Sequence, residues 1–482
     1  MRRSICVLIL GVCFAAPVYA HHLKQGVTTT LPVTTSSPEA RSLYEKGMQD
    51  YENLYLERCN DDWRAAVKVD PNLAVAWAWI AFNSSDPNEA SAAREKAKAL
   101  APKLTPGEQL MVAWIAKVQE GDFIGGISAM NDLIEMYPKD KHVLYLAGNW
   151  LLLEDGDEQG LRIMQKALAL DKNFPAALND LAYMYARSRQ FDKAFAAMDR
   201  YVALLPKEPN PQDSYGELLR MSGNFEGSLQ HYRAALKIDP DFVTSQVGLG
   251  DTYALMGNQE QARIEYDKAI RFAHNEADRL AYSMQKAMTL VRDGKFADAD
   301  KLFQEIAETA HAKEQDLQEA QAYRHLAEYQ TDDNAALKYL QSAQESLGHR
   351  TISKGDKDEE LSRILRNRMV RAAHAGNPAL ADQSLKQLEA MASGSRNRVI
   401  QGSYNGAAGT QLMDQKKFDE AITYLEEDQD NPFTMELLVQ AYYQTNQSDK
   451  LHEAEAKLRS TNVPTMEQAL VVPAARLRRP EI

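Results

Sequence analysis

The stretch VTSQVGLGDTYALMGNQEQARIEYDKAIRFAH, residues 243–274, decides how the chain is read. It divides around Gly257 into two segments of helical periodicity, glycine being the residue that most easily turns a chain between helices. The first segment carries Leu249-Gly250 followed by Tyr253, and the second carries Ala262, Tyr266 and Ala269 at four- and three-residue spacing on one face. Neither segment can bury its apolar face alone, so the unit must stack on others of its kind.

Outward from this stretch the pattern repeats every 34 residues. Gly160, Ala194, Ser228 and Ala262 form one column, Met164, Met198, Tyr232 and Tyr266 a second, and Gly148, Ala182, Gly216 and Gly250 a third. The closing slot keeps step in Lys172, Pro206, Pro240 and His274. Small residues let paired helices approach closely, and Met or Tyr fills the space between units. These residues resemble the tetratricopeptide repeat, a 34-residue helix-turn-helix module. The resemblance implies an all-α solenoid of about twelve such pairs wound into a right-handed superhelix that binds proteins or peptides.

The regular array spans 141–274. Before it, over 37–140, the pairs are irregular: Leu43, Gly47 and Tyr51 answer Cys59, Trp63 and Ala66, and Trp77 and Ile80 answer Ala90 and Ala97. The capping box Thr105-Pro106-Gly107-Glu108 then opens a helix with Trp114, paired with Ile127, Met130 and Leu133. Beyond His274 the interval slips. Divergent pairs are expected over 275–347 and 358–460, separated by a polar stretch, 348–357, that reads as a hinge loop; 461–482 reads as a tail or cap.

Residues 1–20 have the form of a signal peptide, with Arg2 and Arg3, an apolar run over 5–16, and Ala20 before the cleavage point. Residues 21–36, rich in Thr and Ser, read as a flexible leader. The sequence thus predicts an exported protein, periplasmic or secreted, starting at His21. A lipid on Cys13 is the alternative, against which the bulky Val12 stands. Cleavage would remove Cys6 and Cys13, leaving Cys59 with no internal disulfide partner, and would take the formal net charge from −13 to −15. So acidic a chain repels phosphate backbones, which argues against nucleic acid as partner. No later segment is apolar over the roughly 20 residues of a transmembrane helix.

Of ten histidines only His21 and His22 adjoin. No HExxH, Cys/His cluster, Walker or GxSxG arrangement appears, so no catalytic residue, metal or cofactor is predicted. Asp155, Asp157 and Glu158 lack the later glutamate of a calcium loop and read as a polar turn. Arg363, Arg366, Arg368 and Arg371 read as a solvated helix face answered by Glu359 and Glu360, with a docking patch as the alternative.

In the family resembled, the first helices of successive units line a groove. Carrying that face onto the regular units selects Tyr145 with Asn149, Asn179 with Tyr183, Asp213 with Glu217, and Val247 with Asp251, with Arg187 and Arg220 one turn further along. Together they imply a polar, mostly acidic groove with aromatic platforms, suited to protein or peptide segments that are basic or polar. The expectation is a non-catalytic exported scaffold. Two alternatives stand beside it: a binder of glycans or small molecules that stack on Tyr145, Tyr183 and Trp150, and an enzyme whose site is assembled in the divergent C-terminal half.

Overall fold

A computed structural model describes residues 30–154, 157–348 and 352–478. The signal peptide with Cys6 and Cys13, the His21-His22 end, the start of the leader, and Asp155 lie outside the described residues, as do residues 349–351 of the 348–357 loop.

Among the described residues the chain is all-α, a solenoid of twelve helix pairs and one final helix. The irregular pairs are α1 (Pro38–Glu52) with α2 (Leu56–Val69), α3 (Ala74–Asn83) with α4 (Pro87–Leu100), and α5 (Pro106–Gln119) with α6 (Phe123–Met136). The regular ones are α7 (Lys141–Glu154) with α8 (Asp157–Leu170), α9 (Pro175–Arg187) with α10 (Phe191–Leu204), α11 (Pro209–Ser222) with α12 (Phe225–Ile238), and α13 (Val243–Leu255) with α14 (Gln259–Phe272). Then follow α15 (Glu276–Arg292) with α16 (Phe296–Ala312), α17 (Asp316–Tyr329) with α18 (Asp333–Ser346), and α19 (Lys354–His374) with α20 (Pro378–Ser393). The series ends with α21 (Arg398–Asp414) and α22 (Phe418–Leu425), α23 (Pro432–Gln444) and α24 (Ser448–Arg459), and lastly α25 (Met466–Leu477).

The columns read from the sequence are packing contacts. Gly257 turns the chain between α13 and α14 at φ 86°, and no atom lies within 4 Å of where its Cβ would be, so the need there is conformational. Gly248 is the opposite case, because a Cβ would come within 2.3 Å of the Tyr232 ring. That ring, 2% exposed, also lies 3.1 Å from the Cβ position of Gly216, so it is wedged between its own unit and the next. Tyr232 therefore couples neighbouring units as well as closing its own pair.

At the N-terminal end rings fill the enclosed space. Trp79 of α3 lies 4.8 Å from Tyr51 of α1 and 5.2 Å from Trp63 of α2, and Tyr145 of α7 lies 6.0 Å from Tyr51. Within the expected leader, residues 30–36 are described and are tied down. Leu31 N–H donates to Asp140 Oδ2 at 2.7 Å, Thr34 N–H to Glu108 Oε1 at 2.6 Å, and the Thr35 hydroxyl to Asp70 Oδ2 at 2.6 Å. Glu108 is fully buried yet satisfied, since it also completes the capping box with Thr105.

The winding returns on itself. Helix α5 of the third pair touches α19 of the tenth, and α7 of the fourth touches α21 of the eleventh, so seven pairs make one turn. Of the polar 348–357 stretch, Ser353 caps α19 and residues from Lys354 onward are already helical. Near Gly355 the approach is close enough that a Cβ would stand 3.0 Å from the Val118 carbonyl of α5.

Candidate partner-binding groove

The inward face of the regular array holds the polar residues selected from the sequence, but they are mostly engaged with one another. Asn149 Nδ2 donates to Asp180 Oδ2 at 2.8 Å, linking α7 to α9. The Tyr183 hydroxyl donates to Glu217 Oε2 at 2.7 Å, linking α9 to α11. Ser245 Oγ donates to Asp213 Oδ1 at 2.6 Å, and Arg220 reaches Asp251 Oδ2 at 3.4 Å, both linking α11 to α13. Arg220 also pairs with Glu217 at 2.9 Å, and Asp251 accepts the Tyr266 hydroxyl at 2.7 Å. The arrangement is a ladder whose rungs join successive first helices.

Burial divides the nine residues further. Tyr145, Asn179, Arg220 and Asp251 are buried, so a partner reaches none of them without displacing chain. Tyr145 in particular packs edge-on to Tyr51 and 5.1 Å from Phe174, and offers no stacking face; Trp150 is buried as well. The reading of both as platforms for a glycan or small molecule is corrected accordingly. Asn149, Tyr183, Asp213 and Glu217 are part-exposed, and Arg187 is exposed at the end of α9. Burial pushes the Asp180 carboxyl up to about 6 despite its bonds from Asn149 and Tyr145, and pushes Asp213 up to about 7. The acidic character of the groove is thus smaller than the count of carboxylates suggests.

Sequence reasoning missed the second half of the channel. A cavity of about 550 Å³ opens there, with Arg187 and Ser188 of the regular array on one side and Arg366, Arg398, Lys457 and the turn 426–431 on the other. It brings residues nearly 300 positions apart in sequence to one surface, and no local pattern marks them. Most of the arginine run of α19 is drawn into the fold, although Arg363 and Arg366 also border this cavity. Arg366 bonds Asp428 at 2.8 Å, Arg368 bonds Ser384 at 3.0 Å, and Arg371 bonds Asp333 at 2.9 Å and two carbonyls at the end of α17. Only Arg363 turns back to Glu359 and Glu360 as expected from spacing. The long guanidinium reach makes α19 a staple for four neighbouring elements.

A charged cluster also joins the first pair to the regular array. His142 at the start of α7 lies between Glu52 at the end of α1 and Asp140, beside Lys141. Burial lowers the imidazole pKa, but the two carboxylates outweigh this and lift it to about 9. Because the folded value lies above the ordinary 6.5, the stabilisation is complete below pH 6.5 and is lost as pH rises through 9. His142→Gln should therefore flatten the pH dependence of the melting temperature between those limits; a wild-type slope in the variant would assign the dependence elsewhere. Cys59 is buried within α2 and donates to the Leu56 carbonyl. No group of three or more His, Cys, Asp or Glu side chains placed for a metal ion occurs among the described residues.

Comparison with known proteins bears on the array. The family description "Tetratricopeptide repeat" matches residues 158–209 and 243–275, and "TPR repeat" matches 216–257. A TPR repeat-containing protein, YpiA, of Bacillus subtilis is 22% identical over 152 residues, which are 31% of this chain and 36% of that protein. A human protein named protein O-mannosyl-transferase TMTC1 is 26% identical over 95 residues, 19% of this chain and 11% of that one. The chain thus spans about a third of the first relative's length and a ninth of the second's. Among solved structures, yeast Tom70 is 16% identical, with 87% of this chain and 96% of that one covered, at a TM-score of 0.42. The APC/C hetero-tetramer Cut9–Hcn1 is 15% identical, with 83% and 76% covered, at 0.40. With 34-residue columns that are packing contacts, and family matches across the same residues, the chain carries tetratricopeptide repeats over residues 158–209 and 216–275.

Proposed function

We propose that the protein is a non-catalytic exported scaffold that binds a protein or peptide partner inside its superhelical channel. The observation that carries this reading is the 550 Å³ cavity, where Arg187 of the regular array faces polar groups and an open turn of the C-terminal pairs. Such a concave surface, rigidly held and lined by both charges, suits an extended polar segment. A preference for basic segments loses its support where Asp213, Glu217 and Asp251 are already matched within the ladder; the polar segment keeps it. Export rests on the form of residues 1–20, and no described helix is long and apolar enough to cross a membrane.

The test is crosslinked affinity capture from a cell-envelope extract with the full chain and with Arg187→Glu. A specific protein held by the wild type and lost by at least ten-fold in the variant supports the channel. Equal capture by both places the partner elsewhere, and an N-terminus retaining Met1 in the mature protein defeats export. Charge reversal at Asp213, Glu217 and Asp251 is the wrong probe, because it would break inter-repeat rungs and unfold the array.

A further inference from the structure

Seven pairs to a turn set the third pair against the tenth and the fourth against the eleventh, helix on helix. The same count sets the fifth against the twelfth, and there the seam opens: Arg187 and Ser188, where α9 ends, and Lys457 of α24 stand on the border of the 550 Å³ cavity. The opening has a local cause. Asn431 caps α23 and Pro432 takes its first position, so α22 stops at Leu425 after eight residues, where the other second helices run to twelve or more. The turn that follows is pinned by Asp428, which accepts from Arg366 at 2.8 Å and from the Thr434 hydroxyl at 2.5 Å. Thr465 and Glu467, at the start of α25, border the same cavity. That helix is anchored by Met466, fully buried in the apolar cluster of α15, α16 and α17, and by Asn462 just before it, whose Nδ2 donates to the Met221 carbonyl of α11 at 3.3 Å.

Most charges on this border are already matched. Glu426 takes Lys450 at 2.8 Å and the Tyr442 hydroxyl at 2.6 Å, Asp428 takes Arg366, Asp430 takes Arg398, and Arg363 turns to Glu359 and Glu360. Glu427 stands out in solvent, and the charge of Glu467 acts on Arg324 of α17. Lys457 differs from all of these. It is half-buried, it forms no ion pair among the described residues, and its one hydrogen bond goes to an uncharged amide, Gln429 Oε1 at 3.1 Å. An ammonium has three donors, so two are left over. Like charge stands around it, Arg398 on its own side and Arg189 in the α9–α10 turn across the seam. Burial lowers the Lys457 pKa below the ordinary 10.5, Arg189 and Arg398 push the same way, and the pull of Asp430 and Glu453 does not restore it. Between cations held across a gap, one of them with donors to spare, an anion replaces a repulsion by attractions to both sides.

We propose that the seam between the α9–α10 turn and α24 is a subsite for an acidic side chain of the partner, whose carboxylate binds Lys457 and faces the arginines of the turn. The inference rests on the channel reading of function and gives the polar segment a charge at a stated place. An ammonium is a compact point charge with no fixed fork, so either an aspartate or a glutamate fits it. Bound there, the carboxylate links the fifth pair to the twelfth, as direct contact links α5 to α19 and α7 to α21.

The first measurement needs no partner. In the full chain labelled with carbon-13 at lysine Cε, the signal that Lys457→Arg removes is followed through pH titrations in chloride, acetate and inorganic phosphate at one ionic strength. Acetate should raise the Lys457 pKa from its value in chloride towards 10.5. Equal values in chloride and acetate, or a rise with phosphate alone, overturn the carboxylate subsite. The second measurement is crosslinked capture from cell-envelope extract. Lys457→Gln should hold the captured protein about ten-fold less well, the worth of a charge-assisted hydrogen bond, while Lys457→Arg keeps the charge and most of the capture. A loss in Lys457→Arg as large as that in Lys457→Gln assigns the effect to packing and overturns the subsite. Equal capture by Lys457→Gln and wild type also overturns it and leaves the scaffold reading standing. If the wild type captures nothing, the scaffold reading falls by itself and the acetate titration decides the subsite.

Discussion

Arg324→Gln is expected to destabilise the C-terminal half by about 3–5 kcal/mol, the cost typical of removing one partner from a buried ion pair. Arg324 Nε donates to Glu360 Oε1 and Nη1 to Glu328 Oε1, both at 2.6 Å, with all three side chains buried. The substitution leaves two buried carboxylates whose remaining donors are His325 and Asn367 for Glu328 and Arg363 for Glu360. Urea denaturation followed by circular dichroism, with hydrogen exchange on α17 and α19, measures the loss. A cost under 1 kcal/mol would mean that the groups are hydrated in solution.

The pH dependence gives a second reading of the same group. Burial raises the Glu328 carboxyl, but Arg324 and His325 outweigh it and hold the value at about 2, below the ordinary 4.5. Since the folded value is depressed, the stabilisation is complete above pH 4.5 and is lost as pH falls towards 2. Without Arg324 the buried Glu328 carboxylate keeps only His325 and Asn367, so burial raises its value and the variant gains stability as pH falls from 7 towards 5. A triple replacement, Arg324→Met with Glu328→Leu and Glu360→Leu, should recover much of the loss, because apolar groups of similar volume carry no desolvation cost. An acid limb in Arg324→Gln that matches the wild type would exclude the pair as its source.

Tyr266→Ala should cost about 3–5 kcal/mol, the range for truncating a buried aromatic. Tyr266 is 1% exposed, and a Cβ on Gly250 would stand only 2.6 Å from its ring, so the residue that faces the ring has no side chain with which to fill the space left. The variant also removes the hydroxyl donor to the buried Asp251. Tyr266→Phe separates the two contributions: it keeps the ring and should cost about 1.5–3 kcal/mol, the value of a hydrogen bond to a charged group. Hydrogen exchange in α13 and α14 reports the loss where it occurs, since each unit of a stack depends mainly on its neighbours. Similar costs for the two variants would mean that the hydrogen bond, not the ring, holds the unit.

The sequence by itself determined the repeat. Gly216, Gly250, Tyr232 and Tyr266 lie in columns because each pair of helices meets its neighbours in the same way, and a contact made at a constant interval leaves a periodic trace. The Thr105–Glu108 capping box was legible for the same reason of locality, as its partners stand three residues apart. Tertiary structure alone decided which face stayed open. Tyr145 looked accessible because α7 was read in isolation; winding seven pairs to a turn, with α1 drawn against the array, buried it beneath Tyr51. The groove carboxylates looked available because their donors, Ser245 to Asp213 and Tyr183 to Glu217, come from the adjoining unit. Met466 and Asn462 carried no signal at all, since their partners on α15 and α11 lie hundreds of residues upstream in a contact made once and repeated nowhere.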